Sequence, residues 1–178
     1  SQSPFAGKGV VKKLLQWTNQ QEEKANLNIN SVVKACFNMS KSKTGALIII
    51  TTDSELKYHA STGVEIDSKL SSIFLESIFF KNSPLHDGGV IIHNNRIKAA
   101  KCILPLSDNP DIPIHFGLRH RAAAGLTENS PAMAIVVSEE TGKISFIVGT
   151  KYKLDLSPEK LKEEIERLNP TGWLSHVV

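Results

Sequence analysis

Apolar positions along the chain switch between a helical and an extended period, and each switch marks an element. Val10, Val11, Leu14, Leu15 and Trp17 share one face at helical spacing, which predicts a helix over 10–20. Residues 21–28 are polar and are expected to form a helix tail or linker. A second helix follows, capped by an Asn near 28–30 or by Ser31, with Val32, Val33, Cys36 and Phe37 on its apolar face and Met39 near its end. Lys41-Ser42-Lys43-Thr44-Gly45 stops it. Ala46 to Ile50 is a continuous apolar run rich in β-branched residues, which predicts a central strand buried on both faces. Residues 53–66 read as loop with a possible short strand. Asp67 and Ser68 read as the cap of a third helix carrying Leu70, Ile73, Phe74 and Ile78, and Pro84 forbids its continuation.

The second half alternates. Val90–His93 and Ile97–Leu104 predict an antiparallel hairpin turned at Asn94-Asn95, because Asn tolerates the left-handed region. His93 at its tip is expected to be exposed and without function. Pro105 to Pro113 reads as a loop, and Leu118 to Ala124, after Gly117, as a strong helix former. Ala134–Val137 and Ile144–Val148 predict a second hairpin, joined through Ser138-Glu139-Glu140-Thr141-Gly142. Ser157 and Pro158 open a last helix with Leu161, Ile165 and Leu168 buried, Pro170-Thr171-Gly172 ends it, and the tail to Val178 is expected to be mobile or contact-dependent. The sum is a mixed α/β (α+β) fold: one domain over 29–169 with a central mixed, twisted sheet flanked by helices, an N-terminal helix and linker over 1–28, and a tail over 170–178.

Composition narrows the function classes. The chain has 178 residues, 40% hydrophobic and 22% charged, enough for one sizeable core and unlike a disordered segment. A net charge of +3 is too mild to argue for nucleic acid, yet it permits a local basic site for a small polyanion. Cys36 and Cys102 sit among apolar neighbours without CxxC spacing, so neither a zinc site nor a redox pair is indicated, and a reducing compartment fits best. No run in these 178 residues is long enough to cross a membrane, and no signal peptide is expected.

The candidate chemistry concentrates at Leu85-His86-Asp87-Gly88-Gly89-Val90. Asp87 supplies a carboxylate, His86 an imidazole, and Gly88 and Gly89 bare backbone that another molecule can approach. Taken alone, the same residues also read as a hairpin turn. Arg119-His120-Arg121 lies on the first turn of a helix, where backbone N–H groups and the macrodipole favour an anion. The two arginines are about 200° apart around an ideal helix and cannot both face one phosphate. His120 also reads as a buried structural donor, Arg-His-Arg as surface charge, and Glu139-Glu140 as a solvated acidic turn. Together the segments point to a nucleotide and a metal.

Three stretches, Pro84–Ile92, Gly117–Ala123 and Ile135–Gly142, with weaker flanks at Gly45–Ile49 and Leu104–Ser107, make residues 28–150 resemble a diadenylate cyclase domain of the membrane-associated type. Two positions depart from the family pattern: Gly89 stands where alanine is usual, and Leu118 where a threonine hydroxyl would contact nucleotide. The resemblance implies condensation of two ATP into cyclic di-AMP and two pyrophosphates by two domains meeting face to face as a homodimer. It implies Asp87 beside the attacking 3′-hydroxyl, and Arg119 and Arg121 on phosphate. Gly88, Gly89, Leu104, Leu118, His120 and Ser138 are then expected around the nucleotide. His86 and Glu139 or Glu140 are expected to bind a divalent Mn²⁺, Co²⁺ or Mg²⁺. It further implies a possible regulatory protein, no nucleic-acid partner, and a place at the cytoplasmic face of the cell membrane through a segment preceding residues 1–28. A catalytically silent ATP-binding regulatory module and a purely structural partner domain are the competing readings.

Overall fold

The computed structural model describes residues 6–51 and 56–168, and within the first helix the side chains of Gly7–Gln16 and from Asn28 onward. Helix α1 (Ala6–Ser42) leads to β1 (Ala46–Thr51), short α2 (Lys57–Ser61), β2 (Val64–Lys69) and α3 (Ser72–Phe79). The hairpin β3 (Gly89–His93) and β4 (Arg96–Cys102) precedes α4 (Leu118–Thr127). Strands β5 (Met133–Val137), β6 (Ile144–Val148) and β7 (Lys151–Lys153) and helix α5 (Pro158–Leu168) complete the order.

The strands form one sheet ordered β2-β4-β3-β1-β5-β6-β7. Only β1 and β3 pair in parallel, and every other neighbour is antiparallel, so the sheet is mixed. Strand alternation sorts the apolar side chains into two cores. Ile48, Val90, Ile92, Ile135 and Phe146 pack under α1, α3 and α5. Leu47, Ile49, Ile91, Ala134 and Val136 pack under α4, with α2 beside β4 on the same side. Leu47 to Ile49 are at most 1% exposed, as a central strand covered on both faces requires. The α/β single domain is therefore a three-layer sandwich.

Several expectations are corrected. The two N-terminal helices are one, because residues 21–28 contain no glycine or proline to stop α1. The domain boundary expected at 28 falls inside that continuous backbone. α1 ends where Lys43 turns to φ 51° and the Thr44 N–H donates to the Met39 carbonyl at 2.8 Å. Asp67 and Ser68 cap no helix. They lie in β2, where Asp67 has φ 51° and accepts hydrogen bonds from Arg96 and Lys98, which hold its carboxyl below the usual range. Ser71 is the actual cap of α3, accepting from the Phe74 N–H at 3.1 Å. Ile73 is 77% exposed, although it shares the helical period. Phe37 is half-exposed, with Lys41 Nζ 4.4 Å above its ring.

His93 is half-buried rather than exposed, because β3 runs beside β1 and its Nδ1 lies 2.9 Å from the Thr51 carbonyl oxygen. Strand β7 was not anticipated by the pattern, and the tail from 170 lies outside the described residues.

Candidate active site

The C-terminal end of β4, the turn into β3 and the first turn of α4 enclose an open cleft of about 670 Å³. Asp87, Gly88, Lys101 and Cys102 form one wall, Leu118, Arg119 and Ala122 another, and Leu47 and Leu104 contribute apolar surface. Thr62, Gly63 and Val64 close it from the corner between α2 and β2.

The turn that carries Asp87 is built by close backbone approach. Gly88 has φ 81°, and a Cβ there would lie 2.6 Å from the Cys102 carbonyl oxygen, so only glycine fits. The turn leaves the Asp87 side chain 75% exposed at the cleft. His86 is fixed from behind, its Nδ1 2.6 Å from the Ser83 carbonyl oxygen. That contact makes Nδ1 the donor and leaves Nε2 facing outward, 3.3 Å from Asp87 Oδ1. An outward Nε2 and a carboxylate at that spacing are a donor pair that suits a divalent cation. Gly89 is buried beneath the cleft, and a Cβ there would sit 3.0 Å from Leu104 Cδ1, so the family's alanine would press on the apolar floor.

Arg119 rises from the first turn of α4, where the cap residue Gly117 is extended and offers no side chain. Its guanidinium crosses Gly45, where a Cβ would lie 2.6 Å from Nη1. Its Nη1 is 3.5 Å from Glu139 Oε2, and its Nε is buried with no hydrogen-bond partner among the described residues.

The structure brings Asp87, Gly88, Leu104, Leu118 and Arg119 to one cleft. Other expected residues are placed differently. His120 stacks on Phe116 with centroids 4.7 Å apart, and burial, with His115 and Arg119 nearby, pushes its pKa down to about 4. It is thus neutral at pH 7 and lines another part of the fold. Arg121 is also absent from the cleft lining, and its carbonyl accepts from the Ser107 N–H at 3.0 Å. The Ser138 hydroxyl accepts from the N–H groups of Glu140 and Thr141, each at 3.2 Å, which leaves its own proton to donate. Glu140 is exposed, and Glu139 is engaged by Arg119. Among the described residues no three His, Cys, Asp or Glu side chains group as a metal cage.

Sequence reasoning missed Thr62, whose Oγ1 accepts from the Ile103 N–H at 2.9 Å and donates to the His59 carbonyl at 2.6 Å. It also missed Lys101 and the exposed Ile103 and Leu106. No spacing rule pointed to them, because they reach the cleft through the packing of α2 and β2 on β4. Cys102 lines the wall too, but burial pushes its thiol up to about 11, which keeps it protonated.

Residues 33–152 match the family model described as DAC, DisA bacterial checkpoint controller nucleotide-binding. The chain is 43% identical over 145 residues to the cyclic di-AMP synthase CdaA of Bacillus subtilis, covering 82% of this chain and 53% of that protein. It is 44% identical to a diadenylate cyclase of Listeria monocytogenes over 133 residues, 75% of this chain and 49% of that one. The chain thus spans about half the length of these curated relatives. A solved structure of a double mutant of DacA from Staphylococcus aureus superposes with a TM-score of 0.78 at 42% identity, covering 83% of this chain and 97% of that one. A hypothetical membrane spanning protein from Bacillus cereus follows with a TM-score of 0.69 at 39% identity, covering 72% and 63%. Fold, cleft and sequence agree, and the chain belongs to the DAC family of diadenylate cyclase domains.

Proposed function

We propose that this domain condenses two ATP into cyclic di-AMP and two pyrophosphates. The observation that carries the reading is one open cleft holding the exposed Asp87 carboxylate on one wall and the Arg119 guanidinium on another. Each attacking 3′-hydroxyl must meet the α-phosphate of the other nucleotide. One cleft cannot present both, so two copies face each other about a two-fold axis. The exposed apolar residues Ile103, Leu106 and Leu118 at the cleft support such a contact, since exposed apolar patches mark association surfaces.

In this reading Asp87 orients the 3′-hydroxyl and favours loss of its proton. Arg119 neutralises phosphate charge, and exchanging Glu139 for phosphate oxygens frees its guanidinium to do so. Leu104 and Leu47 pack against the base, and Gly88 gives backbone access. Ser138 donates its free proton to the triphosphate, and Leu118 provides apolar contact where no hydroxyl is available. His86, through Nε2, and Glu139 or Glu140 would hold Mn²⁺, Co²⁺ or Mg²⁺, with phosphate oxygens completing the shell. The ion, when bound, screens triphosphate charge and lowers the pKa of an oxygen it touches. Within the reaction, rate comes mainly from holding two nucleotides in line.

No helix among the described residues is long and apolar enough to cross a membrane. A membrane-attached parent protein, with the domain at the cytoplasmic face, is supported by the Bacillus cereus neighbour's description as membrane spanning. The deciding experiment incubates the protein with ATP and each divalent ion and resolves products by chromatography. Cyclic di-AMP and pyrophosphate in a 1:2 ratio are expected. ATP-dependent thermal stabilisation with no product under any ion would instead establish a silent ATP-binding module.

A further inference from the structure

One wall of the cleft contains an irregularity that the roles above leave unused. Between the pairs Gly89↔Cys102 and Ile91↔Ala99, two steps along β3 face three along β4. The extra residue makes a β-bulge, and within it Lys101 has φ 56°. A bulge bends its strand and re-aims a side chain, and a residue bearing a Cβ is strained in the left-handed region. The bulge in β2 puts Asp67 in the same region, but there Arg96 and Lys98 hold the carboxylate. Lys101 has no such compensation. It is exposed, it lines the cleft, and it forms no ion pair among the described residues. Its backbone abuts the catalytic turn, since a Cβ on Gly88 would lie 2.9 Å from the Lys101 carbonyl carbon. Arg119, the other cation lining the cleft, is engaged by Glu139. Lys101 therefore brings three uncommitted N–H donors on a flexible stem to the neighbourhood of Asp87.

We propose that Lys101 is a catalytic residue of this chain: its ammonium binds the non-bridging oxygens of the α-phosphate that the Asp87-oriented 3′-hydroxyl attacks. The inference rests on the cyclase reading and adds to it the group that meets charge developing on the attacked phosphorus. In each of the two steps a bond forms between the 3′-oxygen and the α-phosphorus, and the bond from that phosphorus to the leaving pyrophosphate breaks. The hydroxyl proton passes toward Asp87 and solvent. Lys101 stays protonated throughout and exchanges no atom.

The test uses the whole chain in wild-type, Lys101→Gly and Lys101→Arg forms. Glycine suits the backbone angle, so that variant removes the amine without adding strain. Melting temperature, turnover of ATP to cyclic di-AMP, and affinity for 3′-deoxy-ATP, which lacks the attacking hydroxyl, are measured for each. Lys101→Gly is expected to melt no lower than wild type and to bind 3′-deoxy-ATP within about threefold, while kcat falls about tenfold to a hundredfold because the lost donor acts on developing charge. Lys101→Arg is expected to recover part of that loss. A glycine variant with kcat within about twofold of wild type overturns the inference, as does a loss confined to KM or one equally large in the arginine variant. Those results leave the cyclase reading standing. Wild-type protein that binds 3′-deoxy-ATP but never closes a ring overturns the cyclase reading, and this inference with it.

Discussion

Asp87 and Arg119 face one cleft, but the structure commits them differently. Asp87 is open to solvent beside an imidazole, whereas Arg119 is half-enclosed by Gly45 and Glu139. Asp87→Asn keeps the shape and removes the carboxylate charge. It should leave ATP affinity within about tenfold and abolish most turnover, a pattern of transition-state loss that steady-state kinetics with parallel binding assays would reveal. Gly45→Ala acts on Arg119 from behind. The added methyl displaces the guanidinium, so KM for ATP should rise about threefold or more with the fold intact by circular dichroism, because one charge-assisted contact to phosphate is misplaced. His120 makes a pH prediction. Its folded pKa of about 4 lies below the ordinary 6.5, so the unfolded chain takes up a proton that the folded one refuses. Stability should therefore fall as pH drops from about 6.5 toward about 4. His120→Phe, which keeps a ring on Phe116, should flatten that part of the melting-temperature profile, and an unchanged slope would rule His120 out as its source.

At the scale of elements, the cleft depends on how α2 and β2 hold the end of β4. Thr62 is the tie, with one hydroxyl bridging the end of α2 and the Ile103 N–H. Thr62→Val leaves that N–H without its partner, while the His59 carbonyl keeps the backbone N–H of residue 62 at 3.2 Å and loses only the hydroxyl. A loss of about 1 kcal/mol is expected for such a contact. Amide exchange at Ile103 should accelerate, and turnover should fall more than the melting temperature would suggest, while Thr62→Ser should behave as wild type. Period alone could not find this tie. It identified β3 with β4 and β5 with β6 as hairpins, because alternation and the Asn94-Asn95 turn are local signals. It misassigned residues 67–71, where a bulged edge strand imitates a helix cap, and it divided α1 at a polar stretch that contains no breaker. Polarity without glycine or proline exposes a helix to water and does not end it.

For the whole molecule, the proposed chemistry needs two copies, and Ile103, Leu106 and Leu118 leave apolar surface exposed at the cleft where they would meet. Turnover per protein should rise with protein concentration until the paired state saturates, and Leu106→Glu should shift that curve to higher concentration without changing ATP-dependent stabilisation of one domain. Rates strictly proportional to protein from nanomolar to micromolar amounts would mean that pairing is either tight or unnecessary, and sedimentation would separate those cases. The residues of the sequence determined by themselves that β1 is buried on both faces, that bare backbone at Gly88 follows the Asp87 carboxylate, and that Arg119 lies on the first turn of a helix. Each of those follows from a side chain's local preference for water, for apolar surroundings or for a backbone angle. Only the tertiary structure decided that His120 stacks on Phe116, that the Arg121 carbonyl takes the Ser107 N–H, that Glu139 meets Arg119, and that Lys101, Thr62 and Ile103 line the cleft. These are consequences of where distant elements press together, and contact between residues 41 positions apart, as at Thr62 and Ile103, leaves no mark in the local pattern of either segment.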